Sequence, residues 1–194
     1  MGLFNKSNAV ASQMTQRQLL ESRYASARAN LLLVVALTVV NIILLVTNSD
    51  TYFLFSAYIP YLLVDLGMLF CGLYPSEVYA DGLADMQFLS NGFFAVMLVI
   101  AVVILMMYVL SWLFSKKQKV GWLIFALVFF SIDTLALLLL NGFVVESIID
   151  YVIHAWVIVS LIMGISSYFK LKKLPENEDL EFEELEVNSE ETAE

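Results

Sequence analysis

Residues 52–74, YFLFSAYIPYLLVDLGMLFCGLY, decide how this chain is threaded. As a helix rising ~1.5 Å per residue the stretch is long enough to cross a hydrocarbon core of ~30 Å. It also contains Pro60 and, five residues later, Asp65. Proline removes a backbone donor and clashes with the turn before it, so Pro60 is expected to break the stretch into two halves. Broken backbone at membrane depth is tolerated only where protein or a wet cavity surrounds it.

The basic residues choose between a full crossing and a return to the same side. All ten Lys and Arg residues lie in three clusters: Lys6, Arg17, Arg23 and Arg28; Lys116, Lys117 and Lys119; Lys170, Lys172 and Lys173. Each cluster abuts one of four other apolar stretches, at 31–46, 92–114, 121–140 and 148–169. If 52–74 crosses, the clusters fall on both sides of the membrane; if it enters and returns, all ten are cytoplasmic, as the positive-inside rule requires. Trp112 and Trp122 flank the middle cluster at headgroup depth, which agrees with a cytoplasmic turn. The expected fold is therefore an all-α integral membrane protein with four transmembrane helices plus a re-entrant or broken membrane helix. Five transmembrane helices are the alternative. Both termini are expected in the cytoplasm.

Three regions follow. Residues 1–30 read as a cytoplasmic, basic, amphipathic lead-in helix, with Thr15 and Gln18 placed as a capping box, running unbroken into the first span. Residues 31–169 form the polytopic membrane domain. Residues 170–194 are a basic exit followed by an acidic, disordered cytoplasmic tail. Ten of the 19 acidic residues lie from Leu174 onward with no basic residue among them, so the tail supplies the net charge of −9. Leu180, Phe182 and Leu185 interleave with those acids as a candidate partner-docking motif.

Composition supports this class: 194 residues, 60% hydrophobic and 15% charged, with a mean hydropathy of +0.81, are far too apolar for a soluble domain. One cysteine, Cys71, excludes a disulfide framework within the chain and any multi-cysteine metal site, and reads as a small apolar filler. No nucleotide-binding glycine loop, nucleophile elbow or zinc-protease motif is present, so no cofactor, metal or nucleic-acid partner is expected. In length and pattern the chain resembles small bacterial polytopic proteins, which implies a bacterial plasma membrane and assigns no residue roles.

The sharpest clues are polar residues inside apolar stretches. An ionised Asp at the centre of a membrane helix costs about 2.5–3.5 kcal/mol, so such residues face the protein interior and find partners. Counted from the outer helix ends, Asp133 and His154 lie at ~10 Å depth on adjacent antiparallel helices. Asp150 is one turn from His154 on the same face, and Asp65 lies in the broken segment. These four residues, Asp133, His154, Asp150 and Asp65, are the expected polar intramembrane pocket. The outer loops carry acids and no Lys or Arg, so the pocket suits a cation or a proton. The alternative is an Asp133–His154 bond that only ties two helices together. Asn30, Val34, Thr38 and Asn41 mark a helix-facing stripe, and Ala25 and Ala29 a small-residue contact.

Function on these grounds is most simply an accessory or scaffold subunit working through membrane or cytoplasmic protein partners. The second expectation is a subunit of a transporter for a small cationic or protonated solute, forming a homo-oligomer or joining a partner. An intramembrane enzyme comes last, because no nucleophile accompanies His154.

Overall fold

The computed structural model describes residues 16–49, 51–53, 56–80, 86–116, 119–142 and 148–174. Their regular secondary structure is all helical, with no strand among them. The lead-in and the first apolar stretch form one helix, α1 (Gln16–Val46), because no Gly or Pro interrupts the sequence. Thr15 and residues 175–194, hence the capping box and the motif of Leu180, Phe182 and Leu185, lie outside the described residues. The other long helices are α4 (Asn91–Ser115), α5 (Val120–Asn141) and α6 (Ile148–Leu171). With α1 they make four helices long and apolar enough to span a membrane. Between α1 and α4 come α2 (Tyr58–Phe70) and the single turn α3 (Ser76–Ala80).

The four long helices alternate in direction. On α1 and α6, Tyr24 meets Tyr168 at a tilt with ring centroids 6.1 Å apart, and Asn30 Nδ2 donates to Ser160 Oγ at 2.6 Å. Between them the helices nearly touch: a Cβ built on Gly164 would lie 2.4 Å from the Cβ of Ala27. The close contact therefore runs through Ala27. Ala25 and Ala29, expected as the small-residue contact, face outward. α4 is likewise antiparallel to α1, since Tyr24 donates its hydroxyl to Ser115 O at 2.8 Å. Arg28 donates from Nε to Ser115 Oγ at 3.0 Å and from Nη2 to Trp112 O at 3.3 Å, with its guanidinium 5.9 Å from the Trp112 ring centroid. A cation over the last carbonyls of α4 satisfies orphan acceptors and opposes the negative end of the helix dipole. Arg28 thus acts as a helix cap in addition to marking a basic terminus.

The main core cluster is apolar and includes Ala27, Leu31, Val34, Tyr108, Leu123, Phe130, Val157 and Leu161. A second cluster, of Leu45, Val64, Met68 and Ala101, seats α2 against α1 and α4. Outward faces are apolar: Val99, Val103, Ile132, Leu139 and Val152 are all exposed, as contact with lipid requires. At the end of α5, Gly142 adopts φ 66°, a backbone region open to glycine at little cost, and terminates the helix.

Between α1 and α4 the chain leaves and rejoins the bundle at the same end. The chain turns at Asn48, whose φ of 53° is left-handed, and runs inward alongside α1. Phe53 pairs with Asn41 and Ala57 with Thr38, eight residues before the end of α1. α2 then heads back out, and Phe70 O accepts the Leu89 N–H at 2.8 Å just before α4 begins. Pro60 does not split a helix in two. It is the third residue of α2, in the first turn, where the missing N–H has no intrahelical partner to lose. With 13 residues, α2 is ~20 Å long, short of a hydrocarbon core of ~30 Å. Gly67 permits its approach to α4, because a Cβ there would meet Phe94 and Met97 at 3.1 and 3.2 Å.

Candidate functional site

An extended segment inside a helical bundle must find partners for its own backbone, since none is available from helix or sheet. Side chains of α1 and α5 supply them. Asn41 makes a two-way pair with Phe53, donating Nδ2 to the carbonyl at 2.6 Å and accepting the N–H at Oδ1 at 2.8 Å. Thr38 donates to Val34 O and accepts the Ala57 N–H at 2.8 Å. Residue 57, at the cap position of α2, is alanine and makes no side-chain cap. Asp133 of α5 caps the helix instead: Oδ2 accepts the Tyr58 N–H and Oδ1 the Ile59 N–H, both at 2.8 Å. A carboxylate spanning the first two amides of a helix meets its positive dipole end and satisfies two orphan donors together.

Asp133 is 1% and His154 2% exposed. The imidazole stacks on Phe130, with centroids 5.1 Å apart and planes 12° from parallel, and lies beside Asp133, Nε2 to Oδ2, at 3.6 Å. Its Nδ1 is 2.8 Å from Asp150 O, one turn earlier on α6. A carbonyl can only accept, so Nδ1 carries a proton. In the neutral ring Nε2 then presents a lone pair to the carboxylate, and it has no hydrogen-bond partner among the described residues. The buried hydroxyl of Tyr108 on α4, whose ring meets Phe130 edge to face at 6.4 Å, has none either.

The four anticipated polar residues divide into two layers. Asp133 and His154 are sealed in the bundle. Asp65 and Asp150 line a cavity of about 240 Å³ at the end where α5 finishes and α6 starts, together with Tyr52, Tyr58, Tyr61 and Asn141. Tyr58, Tyr61 and Asp65 share one face of α2, three and four residues apart. Tyr52 and Tyr61 meet edge to face at 5.4 Å, and Tyr58 donates to Asn141 Oδ1 at 3.1 Å. Tyr74, beyond α2, donates its hydroxyl to Asp65 Oδ1. Burial first, and the neighbouring Asp65 second, push the Tyr74 phenol above its ordinary range, so its proton stays put and Asp65 remains the acceptor. No Lys or Arg lines the cavity among the described residues.

The tyrosine wall was not anticipated from sequence. Its signal is the spacing of Tyr58, Tyr61 and Asp65, which lines up only once a helix is known to begin at 58. Cys71, the remaining singled-out residue, is buried and donates to Ser90 O at 3.3 Å, a packing role. Among the described residues no cluster of three or more His, Cys, Asp or Glu side chains could hold a metal ion. Compared with known proteins, the chain matches no family model, no curated protein and no solved structure.

Proposed function

We propose that this membrane protein binds a small organic ammonium cation in the cavity between α2, α5 and α6, as the solute-recognising subunit of a transporter. The observation that carries this reading is the cavity lining: two carboxylates, Asp65 and Asp150, three tyrosine rings and, among the described residues, no basic side chain. Carboxylates supply opposite charge, and aromatic faces attract cations by about 0.5–2 kcal/mol each, more as water is excluded. Rigid tyrosines suit an alkylated ammonium better than a small metal ion, which asks for several oxygens at short range. The positive end of α2, which would otherwise attract an anion, is already occupied by Asp133. Four crossings call for a second copy or an energising partner to complete a pathway. An accessory role through protein contacts rests on the tail beyond the described residues, and the cavity is the better supported ground.

Titration of the purified protein with choline tests this by calorimetry. Binding is expected, weakened at least ~10-fold in Asp65→Asn and in Asp150→Asn, each of which removes one countercharge. Equal affinity in wild type and both variants removes the cavity as the site.

The same reading sets four crossings, residues 47–90 re-entrant from the outer face, and both termini cytoplasmic. It is favoured by the antiparallel run of α1 and α4 and by the eight basic residues among the described ones, which all gather toward the opposite end. Cysteines placed at Glu77 and at Lys119, in a Cys71→Ser background, should label from the outside and the cytoplasm respectively. The reverse pattern overturns the orientation.

A further inference from the structure

We infer that the Asp133–His154 pair is a proton site coupled to the cavity, so that cation uptake displaces a proton. The inference rests on the cation reading of the cavity and adds its regulation. Both walls of the cavity converge on the pair. Asp133 holds the N-terminus of α2, whose outer face carries Tyr58, Tyr61 and Asp65. His154 is tied through Nδ1 to the carbonyl of Asp150, whose side chain lines the cavity.

His154 Nε2 is the second, independent observation. It is buried, lacks a hydrogen-bond partner, and points at Asp133 Oδ2 across 3.6 Å. With Nδ1 committed as a donor, a ring without a second proton sets two acceptors face to face. One proton on Nε2 turns that contact into a charge-assisted donor–acceptor pair. Asp133 can accept it while still capping α2, because each carboxylate oxygen has two acceptor sites. Imidazole is the side chain whose ordinary titration range lies nearest neutrality.

The charged groups beside the ring are Asp133 from α5 and Asp150 on its own helix; Tyr108 of α4 packs edge-on against the same Phe130, and Tyr52 of the inward-running segment lines the cavity with Asp150. None carries positive charge, so the ring proton and an ammonium beside Asp150 are the two positive charges of one poorly screened region, and each disfavours the other. The coupling is reciprocal: protonation weakens cation binding, and the bound cation drives the Nε2 proton onto solvent water or buffer, the N–H electron pair staying on the ring as its lone pair. The sign follows. Affinity is expected to rise with pH, by up to ~10-fold per unit across the interval in which the pair titrates.

His154 is the only histidine in the chain, so an untagged, ring-¹⁵N-histidine-labelled sample gives one pair of signals. At the midpoint of its titration, choline should move Nε2 from the protonated toward the unprotonated shift. Calorimetry in two buffers of different ionisation enthalpy should show proton release of up to one per choline bound. Choline binding with an unmoved ring signal and no proton release overturns the coupling and leaves the cavity reading intact. Absence of choline binding at every pH overturns both.

Discussion

Asp133→Ala is expected to destabilise the protein by about 3 kcal/mol or more and to unseat α2. The substitution leaves the Tyr58 and Ile59 amides buried without acceptors, at about 1–3 kcal/mol each. Alanine at residue 57 offers no substitute cap, and water has little access to so buried a position. The opposite end of α2 supplies the reporter: Cys71, the single cysteine, is 8% exposed and sits at its C-cap. Wild-type protein should react slowly with a thiol reagent, and Asp133→Ala quickly, alongside a lower free energy of unfolding in mixed micelles. Asp133→Asn, which keeps one acceptor, should lose about half as much. If Asp133→Ala unfolds like wild type and Cys71 stays protected, the cap does not hold α2.

Gly164→Ala is expected to cost about 1–3 kcal/mol, although alanine is the better helix former by almost 1 kcal/mol. The new Cβ would stand 2.4 Å from the Cβ of Ala27, on a helix backbone that cannot rotate it away. The two helices must then part by more than ~1 Å, which also lengthens the 2.6 Å bond from Asn30 to Ser160. Membrane helices associate through such backbone approach, with no hydrophobic term between them to compensate. Gly164→Leu should fail to form the folded bundle. The double variant Ala27→Gly, Gly164→Ala restores the space and should recover most of the loss, a coupling that a double-mutant cycle in micelles reads directly. A Gly164→Ala protein as stable as wild type would falsify the close α1–α6 seam.

The four long helices were legible because length, apolarity and flanking charge are each local properties of sequence, and their ends match the structure to within a few residues. The unbroken lead-in was legible for the same reason, from the lack of Gly and Pro across residues 16–46. Pro60 was misread. Proline both breaks helices and starts them, and which applies depends on where the first turn lies, here fixed by Asp133 from 74 residues away. The stripe of Thr38 and Asn41 was legible as a buried face, but the partner is extended backbone rather than another helix, a distinction that residue spacing cannot carry. Asp133 and His154 share a depth that can be counted along two antiparallel helices. The separation of Asp65 and Asp150 into an open cavity depends on the extended segment at Phe53 and Ala57, for which periodicity gives no signal. Ala27 rather than Ala25 or Ala29 meets Gly164 because helix rotation is set by the partner.

The α1–α6 seam joins the first and the last of the four long helices, at Tyr24 with Tyr168, Ala27 with Gly164 and Asn30 with Ser160. During synthesis α1 enters the bilayer well over a hundred residues before its principal mate exists. Throughout that interval Asn30 lacks Ser160, and Arg28 waits on the end of α4, so the nascent chain has exposed polar groups to shelter. The ring of helices closes only when translation delivers α6. A product ending after α5 would lack Tyr168, Gly164 and Ser160 alike, and the whole matching face of α1 would stay unpaired.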